Sequence, residues 1–310
     1  MRRITYLLVF LLCSPVASAE VRLLASIKPL QLIAAAVQDG LAVPEVLLPP
    51  GVSPHDYVLR PSDVMRVQNA QLLYWIGPDM ELFLPRVLEG RSQPSIAVQD
   101  LPGLKLRNFG DAHSANGHEK VEHDHQHRPG QLDVHLWLLP ANAKVIAAKM
   151  AADLAQLDPA NAARYQANLQ VFLQHLQELD QHLHSSLKGI QGKPYFVFHE
   201  TYDYFEAAYG LQHTGVLSIS SEVQPGARRV AQMREELLAA GPTCVFSEPP
   251  LRPRLAETLS ADLPVQLAEL DALGSNIEVS AQSYMQLLQG LASGMLDCLQ
   301  RVEVESAAGS

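Results

Sequence analysis

The stretch from Asp158 to Gly189 reads DPANAARYQANLQVFLQHLQELDQHLHSSLKG. Asp158-Pro159 sets an N-cap residue before a proline at the first helical position. Tyr165, Leu169, Phe172, Leu176, Leu179, Leu183 and Leu187 then recur at spacings of 4, 3, 4, 3, 4 and 4. That period predicts one amphipathic helix of about 30 residues, roughly 45 Å long, ended by Gly189. It occurs once, between two halves of a different pattern. A flexible linker would be Gly/Ser-rich, so this one reads as a stiff connector.

Outward from the helix, both halves alternate strand and helix. In the first, apolar runs at 21–27, 46–48, 72–76 and 95–98 predict strands, and 29–38, 61–70 and 80–89 predict helices, with another begun by Pro140. In the second, strands are expected at 195–198, 215–219, 243–246 and 265–270. Helices are expected at 201–209, 225–240 (closed by Gly241) and 280–299. Such alternation implies parallel sheets covered on both faces. The fold class is therefore α/β: two lobes with mostly parallel sheets, joined by one long rigid backbone helix, with a cleft of limited hinge motion between them. The divisions are 1–19, a signal peptide; 20–157, the first lobe; 158–188, the linking helix; and 189–310, the second lobe.

Of 310 residues, 47% are apolar and 18% charged, enough for a large core and too much for a disordered chain. With 23 Lys+Arg against 33 Asp+Glu, the net charge of −10 argues against nucleic acid as a partner. Arg2 and Arg3, the apolar run 6–12 and Ala17-Ser18-Ala19 have the form of a cleaved export signal, too short to span a membrane. Leu12 precedes Cys13 where lipid attachment needs a small residue, so Cys13 goes with the discarded peptide. Cys244 and Cys298 remain. An even count in an exported chain reads as one disulfide; two metal-ligating thiolates are the alternative, though no C-x-x-C pair is present.

Twelve histidines are the unusual entry in this composition. Five of them, His113, His118, His123, His125 and His127, fall in the polar, acid-rich stretch 111–131, which reads as a solvated loop able to hold metal weakly. His175, His182 and His184 lie off the apolar stripe of the long helix, and His213 lies in a turn; all four are expected at the surface. His55 follows a strand, His135 lies ahead of Pro140, and His199 comes directly after the strand 195–198. Asp271 follows the strand 265–270. Ligands of open α/β sheets bind outside the carboxyl ends of strands. Three imidazoles and a carboxylate can make a tetrahedral zinc shell, while satisfied core histidines are the competing reading. No H-E-x-x-H, G-x-S-x-G, P-loop or G-x-G-x-x-G motif is present, and four protein ligands would fill the shell, which favours capture over catalysis.

At these residues the chain resembles the ZnuA family, the periplasmic zinc-binding components of ABC importers. The resemblance runs over about residues 21–300. It is carried by Ala25-Ser26-Ile27-Lys28-Pro29, His55-Asp56-Tyr57 with Leu59-Arg60-Pro61-Ser62-Asp63, Gly77-Pro78, His135-Leu136-Trp137-Leu138, Tyr195-Phe196-Val197-Phe198-His199, Gln224-Pro225-Gly226-Ala227 and Thr243-Cys244-Val245-Phe246. It implies Zn²⁺ held between the lobes by His55, His135, His199 and Asp271, a Cys244–Cys298 disulfide, a His-rich auxiliary loop, and delivery from the periplasm to an inner-membrane ABC permease with its cytoplasmic ATPase, by a monomer. Two departures stand out. Ala272 replaces a proline often found after the aspartate, which leaves the Asp271 loop more backbone freedom. Pro54 replaces a Glu found in some relatives before the first histidine. Manganese-binding relatives tend to carry Glu where His199 stands, and imidazole suits zinc better. A manganese-binding or adhesin-like relative of the same fold and a zinc metallohydrolase are the alternative readings.

Overall fold

The structure, a computed structural model of the chain, describes residues 20–110, 130–217, 227–249 and 254–308. The export signal 1–19 and the five loop histidines lie outside the described residues.

The first half runs β1 (Leu23–Ala25), α1 (Lys28–Val37), β2 (Glu45–Val46), α2 (Pro61–Asn69), β3 (Leu72–Trp75), α3 (Pro85–Leu88) and β4 (Ser95–Ala97). A 3₁₀ turn at Leu136–Leu138 leads into α4 (Pro140–Leu157). The connector is α5 (Ala162–Ser186), flanked by 3₁₀ turns at Pro159–Asn161 and Leu187–Ile190. The second half runs β5 (Tyr195–Val197), α6 (Asp203–Tyr209), β6 (Gly215–Val216), α7 (Ala227–Ala240), β7 (Thr243–Ser247), α8 (Arg254–Ser260), β8 (Val265–Glu269) and α9 (Ser283–Ala308).

Among the described residues every pair of named strands is parallel, and the two sheets share one topology: β2-β1-β3-β4 and β6-β5-β7-β8. Central strands β1, β3, β5 and β7 are buried along their whole length, as strands covered on both faces must be. The faces separate by the period of two. Tyr195, Val197, Cys244 and Phe246 join the main core, while Phe196 and Val245 pack with Leu217, Met233, Leu237 and Leu259 beneath α7 and α8. The main core also contains residues from both halves, because α5 and α9 pack against α1 as well as each other.

The connector is a 25-residue helix, about 37 Å long. It begins three residues later than expected, because Asp158 spends its carboxylate on the Asn161 amide and the Tyr165 hydroxyl. The helix expected at 80–89 shrinks to Pro85–Leu88. A proline fits only the first turn of a helix, and the preceding segment is committed elsewhere: Glu81 turns back to accept the backbone N–H groups of Ile76 (3.2 Å) and Gly77 (2.9 Å) and the Ser26 hydroxyl. The helix α8 was not anticipated from the sequence. Cys244 on β7 and Cys298 on α9 form the disulfide, with Cα atoms 6.2 Å apart.

The order of each sheet reverses between its two central strands, and the C-terminal side of that reversal is where α/β sheets place ligands. In the first sheet the reversal is plugged by buried Glu81, whose carboxyl is pushed up to about 7 by desolvation against its three hydrogen bonds. In the second sheet His199 stands at the same point, beside Glu248.

Candidate metal centre

Three elements each deliver one imidazole. His55 comes from the loop between β2 and α2. That loop is clipped to the start of α2 by Asp63, which accepts the Tyr57 hydroxyl (2.7 Å) and the Arg60 N–H (2.9 Å). The Tyr57 ring meets Phe83 edge-on at 5.6 Å. The motif from His55 to Asp63 is therefore a brace for the loop. His135 is buried ahead of the 3₁₀ turn, between Trp137 and Phe109, and its Nδ1 lies 2.8 Å from Asp133 Oδ1. His199 follows β5, half-buried, with Nδ1 2.9 Å from Glu248 Oε1 and 2.7 Å from Thr201 Oγ1.

The three rings form a nearly equilateral triangle, with centroids 5.5 Å (His55–His135), 5.6 Å (His55–His199) and 5.4 Å (His135–His199) apart. One ring nitrogen from each lies within 4.8 Å of the others. Such a triad can hold a borderline-soft divalent cation. Desolvation, then the neighbouring His199, drives His55 down to about 3. It is therefore neutral, as a ligand must be.

Asp271 lies outside this close group. It stands at the end of β8, and its carboxylate accepts the N–H groups of Leu273 (3.1 Å), Gly274 (2.8 Å) and Ser275 (2.7 Å). These bonds, with Gly274 at φ +65°, supply the restraint that the missing proline does not. Sequence reading missed the carboxylates that touch the histidine rings, Asp133 and Glu248. Glu248 had a usable signal, since it follows β7 at the edge where His199 and Asp271 follow β5 and β8.

Of the histidines expected at the surface, His182 and His184 are exposed and His175 is half-buried. His213 is not at the surface: it is 2% exposed. Its Nδ1 lies 2.9 Å from Glu206 Oε2 and 3.9 Å from Asp203 Oδ1. Burial opposes its charge, but Glu206 and then Asp203 and Glu200 override this and raise it to about 9. Glu200, Asp203 and His213 have the spacing of a second cation site. A protonated imidazole has no lone pair to offer, so His213 acts there as counter-ion to buried acids. A folded pKa near 9 against 6.5 unfolded means that its stabilisation is complete below pH 6.5 and lost as pH rises through 9. Urea unfolding of the metal-free protein should lose on the order of 2–3 kcal/mol over that window, and His213→Gln should abolish the slope.

A family model described as "Zinc-uptake complex component A periplasmic" (ZnuA) matches residues 23–298. The high-affinity zinc uptake system protein ZnuA of Yersinia pestis is 39% identical over 301 residues, covering 94% of this chain and 95% of that protein. Among solved structures, a crystal structure of ZnuA has a TM-score of 0.72 at 23% identity, covering 89% of this chain and 100% of that one. FpvC of Pseudomonas aeruginosa, a solute-binding protein in complex with Mn²⁺, has a TM-score of 0.73 at 21% identity, covering 93% and 100%. At these identities the two structures speak for the fold.

Proposed function

From the premise that this chain belongs to the ZnuA family of zinc-uptake components, we propose that it captures one Zn²⁺ in the periplasm with His55, His135 and His199 and hands it to the permease of an ABC importer, whose cytoplasmic ATPase drives entry. The observation that carries this reading is the convergence of three imidazoles from both halves of the chain on one point. Asp271 is the candidate fourth donor, able to complete the shell through a second lone pair while its loop N–H groups keep theirs. Residues 1–19 act as a cleaved signal, and the mature chain works as a monomer of two lobes, 20–157 and 189–310, joined by the linker 158–188. It binds and releases its cargo without catalysing a reaction.

Selectivity for zinc rests on the donors. Three imidazoles suit zinc, whereas manganese prefers carboxylate, carbonyl and water. The loop histidines, His113, His118, His123, His125 and His127, serve as a weaker collector whose negative neighbours in sequence attract cations.

Metal analysis of protein purified without chelator tests the reading. One tightly held zinc per chain is expected, and manganese in its place would overturn it. Deleting residues 113–127 should lower the total zinc bound at saturation and leave the tight site at full occupancy.

A further inference from the structure

The strand register brings a carboxylate to His199. In the parallel pair β5–β7, Val197 is level with Phe246, so two residues further on His199 is level with Glu248. The observed contact follows: His199 Nδ1 to Glu248 Oε1, 2.9 Å. Thr201, buried beside them, donates its hydroxyl to the same Glu248 oxygen at 2.7 Å. An ionised carboxylate only accepts. A carboxylic acid is ordinarily a stronger acid than an imidazolium, so at neutral pH the proton of this contact belongs to the imidazole.

We propose that Glu248 is a positioning residue for the metal site: its carboxylate keeps the proton of His199 on Nδ1 and so presents Nε2 to the ion. This rests on His199 being a ligand. Without the carboxylate, the Thr201 hydroxyl, 2.7 Å from Nδ1, no longer donates to Glu248 and can donate to Nδ1 instead, which favours the proton on Nε2, and binding must first move it off. The charge of Glu248 also reaches His55, so one carboxylate that need not touch the cation offsets charge over two of the three rings. Carboxylates that orient metal-bound histidines in this way typically contribute 10- to 100-fold in metal affinity.

The test uses the full mature chain labelled with ¹⁵N-histidine, with the His199 ring signals assigned by their loss in His199→Ala. In the metal-free wild type, His199 should be the Nδ1–H tautomer. Glu248→Leu should shift it towards Nε2–H and raise the zinc dissociation constant 10- to 100-fold by chelator competition. Glu248→Ala carries the same expectation should the leucine variant not fold. Glu248→Gln, which keeps an acceptor oxygen, should retain the tautomer and lose less than tenfold. A wild-type tautomer in Glu248→Leu and Glu248→Ala, or zinc affinity within twofold of wild type, overturns the inference while loss of zinc in His199→Ala leaves the site standing. Wild-type affinity in His199→Ala overturns the ligand assignment itself, and the inference with it.

Discussion

His199→Ala should weaken zinc binding by 100- to 1,000-fold. Structural zinc sites of four ligands are worth about 10–16 kcal/mol in total, so one ligand accounts for about 3–4 kcal/mol, two to three powers of ten in affinity. The loss should not be made good locally. Glu200, the next residue, is buried and turned towards Asp203 and His213, and Asp271 is tied into its own loop. Glu248 is left without its imidazole partner, so the substitution also destroys the pairing that restrained a half-buried carboxylate. Chelator competition against a zinc indicator is the measurement. A dissociation constant within threefold of wild type would show that the convergence of the three rings is incidental.

Replacing Cys244 and Cys298 together by Ser should cost about 4 kcal/mol of unfolding free energy. The bond closes a loop with a sequence separation of 54 residues, and the loss of unfolded-chain entropy for such a loop is of that size. The figure holds only if the folded chain accepts the change. Both cysteines are buried, one on a fully buried central strand and the other on α9. Two serine hydroxyls placed there add a desolvation penalty to the lost constraint. Urea unfolding of metal-free protein, oxidised wild type against the double variant, reads the difference. A loss below 1 kcal/mol would mean that the core alone holds β7 against α9.

Much of this architecture was legible because its signals are local. The stripe from Tyr165 to Leu187 has a helical period that no other structure satisfies, and it became a helix. The central strands are short apolar runs between turn residues, and all of them formed. Boundaries moved where a side chain found a better partner than the helix offered: Asp158 with Asn161 and Tyr165, Glu81 with the turn before it. The candidate site was legible in a different way. His55 and His199 sit where chain order and strand ends place ligands, and His135 was found beside a proline-started helix. What escaped was long-range electrostatics. His213 has the sequence setting of a surface turn, and Glu206 and Asp203, presented by α6, together with Glu200 make its burial tolerable. Glu248 is 49 residues from His199, and its role depends on a strand register that composition does not display. Asp271 is singled out in the sequence by its carboxylate at a strand end, whereas its most visible work is to hold the backbone of its own loop.

Trp137 stands two residues from His135. Its indole N–H donates to the Ala272 carbonyl at 2.9 Å, and its own carbonyl accepts the Tyr284 hydroxyl at 2.6 Å. Both partners lie beyond the linking helix, beside the Asp271 loop and at the start of α9. One face of the ion's berth is thus bolted to the other by two buried bonds, each worth about 1 kcal/mol and expensive to leave unmade. A wide jaw-like swing would have to break both. A receiver that must tell a full carrier from an empty one then has little change of outline to read. Two positive units arriving near Glu248 and Asp271 would offset the negative charge there, a change in charge rather than in outline.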